Sequence, residues 1–291
     1  MNSVTLASVN DQARASDPTR IKLGLAILLA LWAISFYPVY PGLVHTWLNH
    51  PNNSHGILVP LICLYFIWQK REKLTLTEVS GCGLGGAILI GSMGCYVLSL
   101  AGAVTVVSRL MIVSSLIGLV LFTLGKTIFK TVAFPLCFLF FMVPVPDSIV
   151  AIVAFPLQLF ATKVSSFFIG MLSIPVYREG NMLYFAKTQL EVAEACSGIR
   201  SLISIIMISV IFLYLLKGGW IKRAIFFASA VPVALLANIL RVSGTGVLAH
   251  FYGEKVARGF LHEFSGLAVF AFGFLLLYLE YLLLNKMETQ K

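Results

Sequence analysis

Three residue types in this sequence could together carry acyl-transfer chemistry. Cys196 stands in "VAEACSGIRSL", 192–202, with Glu194 two residues before it and Arg200 four after. Arg241 follows Asn238 by three residues in "LLANILRVSG", on the same face if that stretch is helical. His262 opens a later apolar run at "LHEFSG". A thiolate is the reactive form of cysteine, and it forms at neutral pH when a cation or a base stands beside it. His262 is a candidate to take the thiol proton or to protonate a leaving amine. Arg241 is always charged and could stabilise the thiolate or the oxyanion of a tetrahedral intermediate. The plainer readings are an inert helix-end cysteine, an arginine paired with Glu194, Glu263 or a carbonyl, and a histidine that only caps its helix.

The elements that must hold these residues are membrane helices. The chain has 291 residues, of which 59% are hydrophobic and 11% charged, and its mean hydropathy is +0.93. A helix crosses the bilayer with about 20 apolar residues, and runs of that length recur along the chain. The reading is an all-α polytopic protein with about eight spans, near 22–41, 56–69, 83–103, 106–125, 128–145, 198–216, 223–249 and 263–285. The net charge of +9 resides in short Lys/Arg clusters between these runs, where it orients helices rather than binding nucleic acid. Lys70 to Lys73, Lys126 with Lys130, and Lys217 to Arg223 all fall on one side, which is therefore cytoplasmic, and both ends of the chain lie there. Residues 1–20 read as a disordered cytoplasmic tail and 21–291 as a single membrane domain.

One segment departs from the pattern. The stretch 149–172 is long enough to cross but carries Pro156, Gln158 and Lys163, and a crossing there would turn the Lys217 to Arg223 cluster outward. It is expected as an interfacial or re-entrant helix on the outer side. Around Glu179-Gly180-Asn181 the composition changes to strand formers flanking turn residues, predicting a small extracytoplasmic β-hairpin. With this topology Cys196, Arg241 and His262 collect at one depth on the outer face. An arginine inside an apolar helix is costly, which favours a functional role.

The remaining motifs carry less. Five cysteines show no paired spacing for disulfides or zinc. His45, His50 and His55 recur at a spacing of five, which matches no metal-binding signature, so neither a metal nor a cofactor is expected. His55 in "SHG" is read as structural or substrate-facing. Gly81 and Gly85 in "GCGLG" form a small-residue helix-packing motif. The competing functional class is a non-enzymatic transporter or assembly subunit in which Arg241 binds an anionic solute or lipid headgroup.

The set "EVAEACSGIRSL", "ANILRV" and "LHEFSG", with "SHGILVPLICLYFIWQKREKL", "FPLCFLFFMVPVPDS" and "YREGNMLYF" upstream, resembles the exosortase and archaeosortase family of membrane transpeptidases. The resemblance covers nearly the whole chain from about Ile21. It implies Cys196 as nucleophile, Arg241 as electrostatic stabiliser and His262 as acid or base. It also implies substrates with a C-terminal sorting tail, made of a Pro-Glu-Pro-type motif, a transmembrane helix and a basic end. These would be cleaved through an acyl-enzyme at the outer face of the inner membrane, in company with exopolysaccharide systems. Arg200 and Arg258 are then candidates to hold the acidic residue of the motif, and Glu194, Asn238 and His55 are further substrate-binding candidates. Fused members of the family carry an additional domain after the last span; here a partner of that kind would be a separate protein.

Overall fold

In the computed structural model, which describes residues 18–74, 80–186, 188–192, 199–253 and 260–289, the apolar runs fold as helices. Bilayer hydrocarbon offers backbone groups no partners, and a helix satisfies them within the segment. The chain forms two compact units, 1–144 and 145–291.

The first unit holds α1 (Pro18–Ser35), α2 (Tyr40–Asn49), α3 (Leu58–Gln69), α4 (Gly83–Ala101) and α5 (Thr105–Phe138). Helices α1 and α2 form a pair bent by 45° across a short 3₁₀ turn that holds Pro38. Arg109 of α5 ties α2 down by donating to Gly42 O at 3.1 Å and to Thr46 Oγ1 at 3.2 Å. Although α5 runs for 34 residues, Gly125 breaks it with φ +79° and ψ −178°. Only glycine adopts that conformation freely. The break falls where the sequence separates spans 106–125 and 128–145. Beyond it α5 packs antiparallel to α3: Lys70 Nζ donates to Thr131 O at 2.9 Å and Cys63 Sγ to Pro135 O at 3.0 Å. The basic ends of α3 and of the second half of α5 therefore lie side by side.

Before the break, α4 and α5 touch backbone to backbone. A Cβ on Gly118 would come within 2.6 Å of Leu89 N, and one on Gly85 would overlap the backbone of Phe122. The packing read into "GCGLG" is thus present, and the structure adds Gly118 on the facing helix. Backbone cannot yield as a side chain can, so Gly85→Val is expected to destabilise this unit by about 2–3 kcal/mol. A fall in the melting temperature of the detergent-solubilised protein checks it; an unchanged value would mean that the helices can part without loss.

The second unit begins with α6 (Asp147–Met171), continues through strands β1 (Val176–Glu179), β2 (Met182–Phe185) and β3 (Gln189–Glu191), and closes with α7 (Ile199–Leu215), α8 (Trp220–Tyr252) and α9 (Phe260–Thr289). The expected hairpin is present, with Glu179 opposite Met182 and Gly180 at φ +58° in the first turn position. A third strand, β3, extends it into an antiparallel sheet of order β1-β2-β3. Leu183, Phe185, Leu190 and Val192 bury their side chains against Ile169 of α6 and Val242 of α8. The sheet thus clamps the C-terminal ends of two helices that run parallel, with Ser165 Oγ donating to Ile239 O at 3.1 Å.

The count of eight spans is not reproduced. Among the described residues, five helices are long and apolar enough to cross a membrane, six if the bent α1–α2 pair counts as one. Helix α7 is a shorter apolar helix, and α5 is counted once across its break. Helix α6, expected at the interface, is among the five, with 25 continuous residues. Its Gln158, Thr162 and Ser165 are buried against protein, while Lys163 is exposed.

Candidate functional site

Arg241, Asn238 and the backbone of His262 belong to α8 and α9, which pack antiparallel. At one end, Lys222 Nζ donates to Leu284 O at 3.4 Å and the Lys217 N–H to Asn285 Oδ1 at 3.2 Å. Further along, Ser229 Oγ meets Glu280 Oε2 at 2.5 Å. A Cβ on Gly273 would lie 2.7 Å from Ile205 Cδ1 of α7 and 3.9 Å from Ala237 Cβ of α8. At the far end a Cβ on Gly266 would lie 3.5 Å from Arg241 Nη2. These contacts fix the register, and they place the Arg241 guanidinium against α9 one helical turn from His262.

The register also fixes depth. From Lys222 to Arg241 along α8, and from Lys286 back to Gly266 along α9, is about 30 Å at 1.5 Å per residue. That is about the thickness of the hydrocarbon layer. Arg241 therefore stands about one hydrocarbon thickness from the basic end of this unit, half-buried.

Helix α7 runs in the same direction as α9. Phe212 of α7 stacks on Tyr281 at 5.1 Å, and Ile205 meets Gly273. Six residues back from Ile205 is Ile199, where α7 begins, so that start lies level with Gly266 and Arg241. Val192, on the other side of the candidate nucleophile, is fully buried in the sheet cluster together with Val242, the residue after Arg241. The described chain on both flanks of Cys196 thus ends at the Arg241 level.

Of the residues singled out in the sequence, Cys196, Glu194 and Arg258 lie outside the described residues, as do the side chains of Arg200 and His262. Asn238 is buried on α8 at 6% exposure. His55 belongs to the first unit, where a Cβ on the adjacent Gly56 would overlap the Trp47 ring and Trp47 Nε1 donates to Met142 O at 2.9 Å. Burial pushes the imidazole of His55 below its ordinary value of 6.5, against the upward pull of the Phe141 and Asn52 backbone. The folded state then binds fewer protons than the unfolded chain just below pH 6.5, so stability rises with pH through that window and falls on acidification. The wild type is expected to lose more thermal stability between pH 7 and pH 5 than His55→Gln. Equal losses would mean that His55 titrates alike folded and unfolded.

Sequence reasoning passed over Thr245. It is 3% exposed, one turn beyond Arg241 on the same face, and the register sets it level with His262. A small β-branched residue in an apolar run gives no signal of its own; its i, i+4 spacing from Arg241 is the clue.

No curated protein and no solved structure matches the chain. A family model described as transmembrane exosortase matches residues 47–279. That match spans both units and takes in Cys196, Arg241 and His262, and it shows that this chain belongs to the transmembrane exosortase family.

Proposed function

We propose that the chain is a cysteine transpeptidase of the inner membrane that cuts the C-terminal sorting tail of exported proteins at the extracytoplasmic face. Family membership supports a membrane transpeptidase role in general. The observation that carries the finer reading is the common level of three elements: the Arg241 guanidinium beside Gly266, the turn that bears His262, and the flanks of Cys196 at Val192 and Ile199.

In this reading the Cys196 thiolate attacks the carbonyl carbon of the scissile peptide bond. The carbonyl oxygen becomes an oxyanion, and Arg241 stabilises it where little water competes. The C–N bond then breaks, with the His262 imidazolium giving its proton to the departing amine. A thioester on Cys196 remains. An acceptor amine or water attacks it, passes a proton to His262, and releases Cys196. The substrate's own transmembrane helix docks beside the bundle and presents the bond at this depth, so membrane co-residence replaces a large soluble binding surface. Glu194, Arg200 and Arg258 remain candidates for contact with the motif ahead of the cut. The wider setting is exopolysaccharide production.

Co-expression with a reporter that ends in a Pro-Glu-Pro motif, an apolar helix and a basic end tests the reading. A shortened reporter that appears only with the enzyme is expected. A reporter that keeps its tail while other tailed proteins of the same cell are cut would remove the motif from the proposal.

A further inference from the structure

Asn238 buries an acceptor that no described residue uses. The residue is 6% exposed, and its Oδ1 finds no hydrogen-bond partner among the described residues. Buried polar atoms are almost always paired, so each exception calls for an explanation. Two buried hydroxyls in this unit also lack partners among the described residues, Ser243 Oγ and Thr188 Oγ1. Those are hydroxyls, which can rotate to donate to a carbonyl; a carboxamide oxygen can only accept.

The side chain leaves α8 between two occupied faces. Ala237 and Arg241 look toward α9, whereas the Ile239 carbonyl, Val242 and Gly246 face α6 and the sheet. Asn238 falls in the sector between them, which it shares with Thr245 and, one turn back, with Ala234 of the cluster that holds Ile205 of α7. It lies three residues, about 4.5 Å, from Arg241 toward the basic end of the unit. The acceptor thus sits within one hydrocarbon thickness of the basic end, one step deeper than the guanidinium.

We infer that the carboxamide oxygen of Asn238 accepts a main-chain N–H of the bound peptide, on the tail side of the bond that is cut. This rests on the transpeptidase reading above. The first four N–H groups of any helix have no partner within it, and hydrocarbon supplies none. A substrate helix that enters the bilayer from the outer face brings those groups to the depth of Asn238. The unpaired acceptor of the enzyme and the unpaired donors of the tail match in chemistry and in level, and their pairing fixes how far the tail is drawn in.

The test is Asn238→Leu, which keeps the volume and removes the acceptor, assayed with the tailed reporter alongside Cys196→Ala. Processing by Asn238→Leu is expected to fall by about 10–100-fold while its melting temperature stays level or rises, because an unpaired buried polar atom has been removed. Wild-type processing would overturn the inference, and so would a loss of processing matched by a loss of stability, which would mark a structural asparagine. Should the leucine variant fail to accumulate, Asn238→Ala is read by the same criteria. Processing retained in Cys196→Ala would instead sink the transpeptidase reading itself, which separates the two failures.

Discussion

Cys196→Ala is expected to lower processing of a tailed substrate by about 10⁴-fold or more without altering the amount or the melting temperature of the protein. A covalent mechanism has no alternative route once its nucleophile is gone; only binding and electrostatic stabilisation remain. At about 1.36 kcal/mol per decade, the loss is at least about 5.4 kcal/mol of transition-state stabilisation. Cys196→Ser should be nearly as inactive, since a serine hydroxyl is a far weaker acid than a thiol and the proposed mechanism needs the deprotonated form. The measurement is the rate of tail removal from the reporter at matched enzyme levels. Activity within tenfold of wild type in either variant would rule out Cys196 as the nucleophile.

Arg241→Ala should lower the same rate by about 10²–10³-fold, the range seen when a single oxyanion donor is removed, which equals about 3–4 kcal/mol. Arg241→Lys should fall between alanine and wild type. The ammonium keeps the charge but loses the planar fork and the reach that sets the guanidinium beside Gly266. This ordering separates an electrostatic role from a packing role. If Arg241 only held α8 against α9, both variants would lose stability and activity together, and lysine, with its long stem, would recover most of both. Full activity in both variants would remove the arginine from the mechanism.

Much of this arrangement could be read before any coordinates, because its signals are local. The break at Gly125 lies between two apolar runs joined by Lys126 and Lys130, and the turn at Gly180 lies between strand formers. The N-x-x-R spacing placed Asn238 and Arg241 on α8, and the Gly81–Gly85 motif marked the close approach of α4 to α5.

Other features depend on what a residue meets across the fold, which composition does not encode. The sequence points α6 to the interface because Pro156, Gln158 and Lys163 interrupt its apolar run and a crossing would turn the Lys217 to Arg223 cluster outward; that Gln158 and Ser165 are buried against protein, with Ser165 bonded to Ile239 O, is not legible there. Strand β3 is only three residues long, too short to show alternation, and it exists because β2 offers it a ladder. The acceptor of Asn238, unused among the described residues, emerges only when their partners are counted. The level shared by Arg241, Gly266 and Ile199 likewise needs the α8–α9 register, which the Lys222, Ser229 and Ala237 contacts supply.

The most direct test of the central claim is to catch the intermediate. The solubilised enzyme is mixed with the tailed reporter, quenched in acid within one turnover, digested and examined by mass spectrometry. The account predicts that the peptide bearing Cys196 gains the mass of the reporter fragment that ends at the cut, through a thioester that hydroxylamine removes. Released tail accompanied by an unmodified Cys196, with the acyl group on another residue, would contradict it.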